Sequence, residues 1–217
     1  MEEGKIPFPP MLVINLAHRP DKWQMIQHDF YSRGWPELFR MEAVLGDPGW
    51  YGCTISHVNC LGTAKENKFP WVLIIEDDCL PTENSMQRFC ELLPKLWETR
   101  DQWDIFMGAT TNVKVESLLQ TSPPLLRVKG ATAHFYLVND HAYDKFIYGL
   151  TQQPIVIDEL YGLDPSVRMI CTFPHIAVQR PCIGDTSNGV YVDYINLFQE
   201  SEKVLHDYLQ EKTNNLQ

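Results

Sequence analysis

The stretch Trp71-Val72-Leu73-Ile74-Ile75-Glu76-Asp77-Asp78-Cys79-Leu80 runs an unbroken apolar segment into three carboxylates. Apolar residues at every position, without polar alternation, suit a strand covered on both faces, so a buried strand ending at the acids is predicted here. Side chains alternate along a strand, which sends Glu76 and Asp78 to one side and Asp77 to the other. The Glu76/Asp78 pair is a candidate divalent-metal site. Carboxylate oxygens suit Mn²⁺ or Mg²⁺, and such ions are commonly completed by substrate phosphates. An acidic turn closing a buried strand accounts for the same residues without any ligand.

Working outward, Met11 to Leu16 reads as another buried strand, followed by a helix that opens near Pro20, carries Trp23, Ile26 and Phe30 on one face and stops at Gly34. A strand is expected over residues 39–44, a break at Gly46-Asp47-Pro48-Gly49, and a helix over about 53–67. Beyond the acids come a helix over about 84–97 and a short strand at 104–108. The pattern lapses between Ala109 and Pro124, which reads as loop. Strand character returns at 133–138, where Asn139 is placed to cap a helix that Gly149 and Pro154 close. A last helix is expected over about 194–209. Strands alternating with helices predict an α/β layer sandwich with a mostly parallel central sheet, and ligands of such sheets bind beyond the carboxyl ends of the strands. One domain spanning residues 1–217, with a core over about 11–190, is the expectation for this length.

Composition narrows the partners. With 18 Lys and Arg against 28 Asp and Glu, the formal net charge is −10, which argues against general affinity for nucleic acid or anionic membrane. A phosphate-bearing ligand then needs local rescue by a metal, a helix N-terminus or a few arginines. The six cysteines form no C-x-x-C pair and no zinc-type Cys/His spacing, so they are expected as small buried hydrophobes in a reduced compartment. No stretch has the apolar length of a signal peptide or a membrane span, and the chain reads as cytoplasmic.

Four blocks in order carry a resemblance: Val13-Ile14-Asn15-Leu16 with Arg19, Gly52-Cys53-Thr54-Ile55-Ser56-His57, the segment from Val72 to Asp78, and Gly130-Ala131-Thr132-Ala133-His134-Phe135-Tyr136. Together they resemble glycosyltransferase family 25, which includes lipopolysaccharide-biosynthesis and collagen-modifying sugar transferases. One departure is that Trp50 and Tyr51 precede Gly52-Cys53, where the family usually has an acidic residue shortly before. The resemblance implies a GT-A-type, Rossmann-like fold, a nucleotide-sugar donor (UDP-linked above all), a divalent cation, an acceptor that is a glycan, lipid-linked or glycoprotein, and transfer with inversion.

On that basis Asp78 is the expected metal ligand and Glu76 a metal or ribose partner, with Asp77 reaching sugar hydroxyls or capping the turn. His175 is a candidate to complete the metal shell. Asn15 and Arg19 are expected at the nucleotide, Arg19 having a surface pair with Asp21 as its bland alternative. Ser56 is assigned to the donor site, and Gln179 and Asp185 to a polar loop over it. Inversion needs a base for the acceptor hydroxyl, and Asp158, following Ile155-Val156-Ile157, is that candidate, with N-capping as the competing role and Glu159 as neighbour. Two other classes compete: a non-catalytic carbohydrate- or nucleotide-binding module that keeps the fold without turnover, and a Mg²⁺-dependent phosphoryl transferase, which also uses clustered acids at strand ends. The second lacks a G-x-x-x-x-G-K-[ST] loop here.

Overall fold

The computed structural model describes residues 6–152, 155–184 and 190–214. In chain order the elements are β1 (Met11–Asn15), α1 (Pro20–Tyr31), β2 (Phe39–Glu42), α2 (Gly49–Glu66), β3 (Trp71–Glu76), β4 (Cys79–Pro81), α3 (Ser85–Glu98), β5 (Ile105–Met107), β6 (Thr111–Thr121), β7 (Pro124–Ala131), β8 (Phe135–Asn139), α4 (Tyr143–Gln152), α5 (Ile157–Leu163), β9 (Met169–Thr172), β10 (Ala177–Gln179), β11 (Cys182–Ile183), β12 (Tyr191–Val192) and α6 (Ile195–Asn214).

The unbroken apolar runs form the centre of an eight-stranded sheet of order β2-β1-β3-β8-β5-β9-β7-β6. Strands β2, β1, β3, β5, β9 and β6 point one way, and β8 and β7 are reversed. The fold is therefore α/β with a mostly parallel sheet, as the alternation of elements predicts. Because side chains alternate, β3 feeds both faces: Val72 and Ile74 join one core with Leu12, Leu61 and Phe146, while Trp71, Leu73 and Ile75 join another with Val13, Ile26, Phe30 and Phe89. Each such buried side chain contributes roughly 1.5–3 kcal/mol. Helices α2, α4, α5 and α6 cover the first face, and α1 and α3 the second.

This layering fixes where a ligand can go. From β1 the chain crosses through α1 to β2 on one side, then returns through α2 on the opposite face to β3 on the other side of β1. The sheet order reverses between β1 and β3, and a crevice opens beyond their carboxyl ends. Ile14 pairs with Glu76 in that register, so Asn15 and the acids emerge side by side.

Several local expectations are corrected. Residues 109–124 are not loop: β6 and β7 form a long hairpin around Ser122-Pro123. Its period-two signal is weak because few of its positions are fully buried and the alternation slips phase between Ser117 and Leu118, in a pairing whose register shifts between Thr111 and Lys114, Val115 and Ser117, and Leu118 and Gln120. Asn139 does stand at the N-cap position of a 3-10 turn, Asp140–Ala142, that leads into α4, but its side chain makes no capping bond. It ends β8 fully buried, and its amide donates to the carbonyls of Arg100 and Trp103 at 3.0 and 2.8 Å. Helix α4 runs through Gly149 to Gln152, α2 begins at Gly49, and α6 extends to Asn214.

At the end of the sheet away from the acids, Asp104 is a hub. Its carboxylate accepts bonds from the Arg168 backbone N–H and guanidinium, Lys145 and His141, which together hold it well below the usual carboxylate range against the opposing effect of burial. Asp104→Ala removes the common acceptor of three elements. The cations remain partly exposed and recover hydration, so the expected loss lies below the extreme for a sealed pair, at about 2–3 kcal/mol in urea unfolding.

Candidate active site at the β1/β3 crevice

A cleft of about 300 Å³ lies at the switch point, and Asn15, Lys22, Cys53, Ser56, all three acids and Gln179 line it. The strand ends at Glu76, so the three carboxylates fan out instead of alternating. Glu76 turns to α2, where Oε1 meets His57 Nε2 at 3.1 Å and Cys53 Sγ at 3.8 Å. Asp77 turns to α1 and β1. Its carboxylate accepts from Asn15 Nδ2 at 2.7 Å and pairs with Lys22 Nζ at 3.2 Å. Asp78 turns to β10, accepting from Gln179 Nε2 at 2.9 Å on Oδ2, while its Oδ1 is buried without a hydrogen-bond partner among the described residues.

The surrounding polar groups set these orientations. Asn15 is buried, donates also to the Arg19 carbonyl, and accepts from Arg40 Nε at 2.9 Å. Its amide nitrogen and oxygen are both engaged, and one N–H aims Asp77, so it positions an acid. Ser56 Oγ donates to the Gly52 carbonyl at 2.7 Å and accepts from Val44 N–H at 2.8 Å, which staples the β2–α2 loop to the helix at the rim. The same approach excludes side chains: a methyl on Gly52 meets the Val44 carbonyl oxygen at 2.4 Å.

Other sequence candidates fall elsewhere. Arg19 does not line the cleft; its Nε and Nη2 grip Asp21 at 3.0 and 2.9 Å on the surface, the bland alternative. His175 is not brought to Glu76 and Asp78. Strand β10 pairs antiparallel with β4, Gln179 opposite Cys79 and Ala177 opposite Pro81, so going back toward His175 the chain leaves Asp78. The His175 carbonyl meets Thr82 Oγ1, and its buried ring stands against Phe198 and 3.8 Å from Glu202. Asp158 sits in the first turn of α5, outside the cleft lining, where Oδ2 accepts from Thr132 N–H at 3.1 Å; its charge reaches Cys53, His57 and Tyr194. Asp185, with Ser187 and Asn188, lies outside the described residues, as does the Glu159 side chain.

Two functional neighbours escaped the sequence reading. Lys22 is buried, and with Ile26 and Phe30 it forms an i, i+4, i+8 series on the covered face of α1, a spacing that marks it as inward. Arg40, on the largely exposed β2, carries no comparable signal.

The electrostatics favour a cationic guest. Burial, then the Asp77 charge, pushes Glu76 up to about 7; burial, then the Glu76 charge, pushes Asp78 up to about 6. Burial pulls His57 down to about 4, so it is neutral at pH 7. Groups with raised folded pKa values favour the fold while protonated, and that advantage is lost as pH climbs from the unfolded values near 4 through about 6 to 7. Glu76→Gln keeps an acceptor for His57 and removes the charge. It is expected to stabilise the metal-free protein by about 1–3 kcal/mol at pH 8, the full linkage value being reduced because solvent reaches part of the side chain, with the gain closing by pH 4 in paired urea titrations.

No family model matches the chain, and no curated protein does. Among solved structures the chain is similar to A197 from STIV, at 10% identity over 81% of this chain and 95% of that one, with a TM-score of 0.47. It is also similar to a glycosyltransferase involved in the glycosylation of the major capsid of PBCV-1, at 13% identity over 76% of this chain and 81% of that one, with a TM-score of 0.45. The fold is α/β and Rossmann-like. Membership of glycosyltransferase family 25 is not shown, and likenesses this distant leave the residues of the cleft as the ground for a function. Among the described residues, no helix is long and apolar enough to cross a membrane.

Proposed function

We propose that this chain is a divalent-cation-dependent, inverting glycosyltransferase that moves a sugar, a UDP-linked hexose in the first instance, from a nucleotide-sugar donor to a hydroxyl of a glycan, lipid-linked or glycoprotein acceptor. One observation carries the reading: Asp78 Oδ1 is a buried carboxylate oxygen without a partner among the described residues, beside Glu76, in the crevice where α/β sheets take their ligands. An oxygen in that state is expensive to keep unless something positive meets it.

The donor set fits Mn²⁺ or Mg²⁺. Asp78, with Glu76 beside it, would hold the ion, and Gln179 already occupies the other Asp78 oxygen. When bound, the ion supplies positive charge against the diphosphate that departs with the nucleotide. The protein does the remainder with its own groups. Lys22 and Asn15 fix the Asp77 carboxylate at the cleft wall, oriented to accept from sugar hydroxyls. Lys22, Arg180 and His18 also place positive or polarisable groups around an anionic guest in an otherwise acidic protein. Asp158 takes the acceptor proton. Its carboxylate is anchored by Thr132 N–H, and its charge is felt by the cleft residues Cys53 and Tyr194.

A thermal-shift panel of nucleotide sugars with and without Mn²⁺ tests the first half. A matching donor at 100 times its Kd is expected to stabilise the fold by about 2.7 kcal/mol, and only with the ion present. Transfer of labelled sugar to an acceptor glycan tests the second half. Binding without transfer or release would reduce the chain to a nucleotide-binding module; no stabilisation by any donor would remove the reading.

A further inference from the structure

Cys53, His57 and Glu76 bring a sulfur, a nitrogen and an oxygen to one point: Cys53 Sγ, His57 Nε2 and Glu76 Oε1 all lie within 4.8 Å of one another. The arrangement follows from the fold. Helix α2 presents residues 53 and 57 one turn apart on one face, and β3 delivers its last side chain beneath them. Around a tetrahedral Zn²⁺ with ordinary bond lengths, the sulfur–oxygen edge is about 3.6 Å and the nitrogen–oxygen edge about 3.4 Å. The corresponding separations here are 3.8 and 3.1 Å. Those two edges need shifts of a few tenths of an ångström, and the third, Cys53 Sγ to His57 Nε2, lies within 4.8 Å and closes by side-chain rotation.

An independent feature points the same way. His57 is fully buried, and its other nitrogen, Nδ1, lies 2.6 Å from Tyr136 Oη, which in turn is 3.5 Å from Tyr161 Oη. Metal-ligating histidines are characteristically held in this manner through the second ring nitrogen, which fixes the ring. Cys53 and Glu76 line the cleft while His57 does not, so the fourth corner opens toward the cleft. Three protein ligands with one open position is the pattern of zinc sites that accept an external oxygen donor. The point shares Glu76 with the all-oxygen site at Asp78, and the thiolate distinguishes the two, because soft sulfur selects zinc-class ions over Mn²⁺ and Mg²⁺.

We infer that Cys53, His57 and Glu76 form a zinc-class metal site whose open position receives an anionic oxygen of a ligand in the cleft. Binding releases the Cys53 thiol proton and any proton held by the Glu76 carboxylate, and the single His57 proton passes to Nδ1, from which it is donated to Tyr136 Oη. The site stands whether or not the chain transfers sugar.

The test uses the full chain freed of metals by chelation and titrated with Co²⁺ as a coloured stand-in, then with Zn²⁺. One equivalent of Co²⁺ is expected to give a thiolate-to-metal charge-transfer band with tetrahedral d–d bands, all displaced by Zn²⁺. Cys53→Ser is expected to abolish the charge-transfer band and Cys182→Ser, at the Asp78 side, to keep it. Tyr136→Phe is expected to weaken Zn²⁺ binding by ~10–100-fold. Absence of the band in the wild type, or its survival in Cys53→Ser, overturns the proposal. Because Cys53→Ser also changes a packed position, the wild type supplies a second measurement: Zn²⁺ is expected to protect Cys53 from alkylation, read by peptide mass, and equal labelling with and without Zn²⁺ overturns the site. Asp78→Asn separates the two readings, since it is expected to keep the cobalt band while losing Mn²⁺-dependent nucleotide binding.

Discussion

Asp78→Ala is expected to abolish Mn²⁺-dependent stabilisation by a nucleotide sugar, and with it transfer, while leaving the circular-dichroism spectrum and the urea midpoint close to wild type or slightly raised. Asp78 lies two residues beyond the end of β3 and contributes nothing to either core; among the described residues its side chain is held by Gln179 Nε2 and a 3.6 Å contact with Cys182 Sγ, while its backbone carbonyl accepts from Arg180 N–H whatever the side chain. Its ionisation in the folded state is already opposed by burial and by Glu76. Deleting the side chain therefore relieves a local cost and removes the one carboxylate among the described residues with an unmatched buried oxygen. Full retention of Mn²⁺-dependent donor binding in this variant would move the cation elsewhere.

Asp158→Asn is expected to lower turnover by ~10² to 10⁴, the usual cost of losing a general base, with donor affinity unchanged. The amide keeps the size of the carboxylate and an oxygen for Thr132 N–H, so α5 stays seated on β7, where Gly162 packs against the Gly130 carbonyl too closely for a side chain. Single-turnover transfer assays beside donor titrations make the measurement. Wild-type turnover in the variant would remove Asp158 from the proton path.

The parts of this fold legible in the sequence are those where burial is complete. Strands β1 and β3 announce themselves because both of their faces are covered, so no polar residue interrupts them, and the acids that follow β3 do stand in the crevice. The hairpin of β6 and β7 is hidden because few of its positions are fully buried and its alternation slips phase. Lys22 could have been found, since its spacing from Ile26 and Phe30 puts a cation on a covered face, where it needs an anionic partner. Asp104 could not: its partners Lys145 and Arg168 are distant in sequence and meet it only once β5, α4 and β9 are assembled. His175 misled for the opposite reason. It is close in sequence to Gln179, which does reach Asp78, but the chain direction of β10 carries it away from the acids.

The position of β8 has a consequence for synthesis on the ribosome. Strands β2, β1 and β3 pair with one another early, yet the other edge of β3 can be satisfied only when β8 arrives, antiparallel, from beyond Phe135. About sixty residues separate Glu76 from that strand, so at about 5–20 residues per second a wholly apolar strand edge waits for ~3–12 s as the nascent chain lengthens. That interval is when a holdase chaperone has its target, and slowing translation between the two segments is expected to lower the yield of native protein without altering the finished molecule.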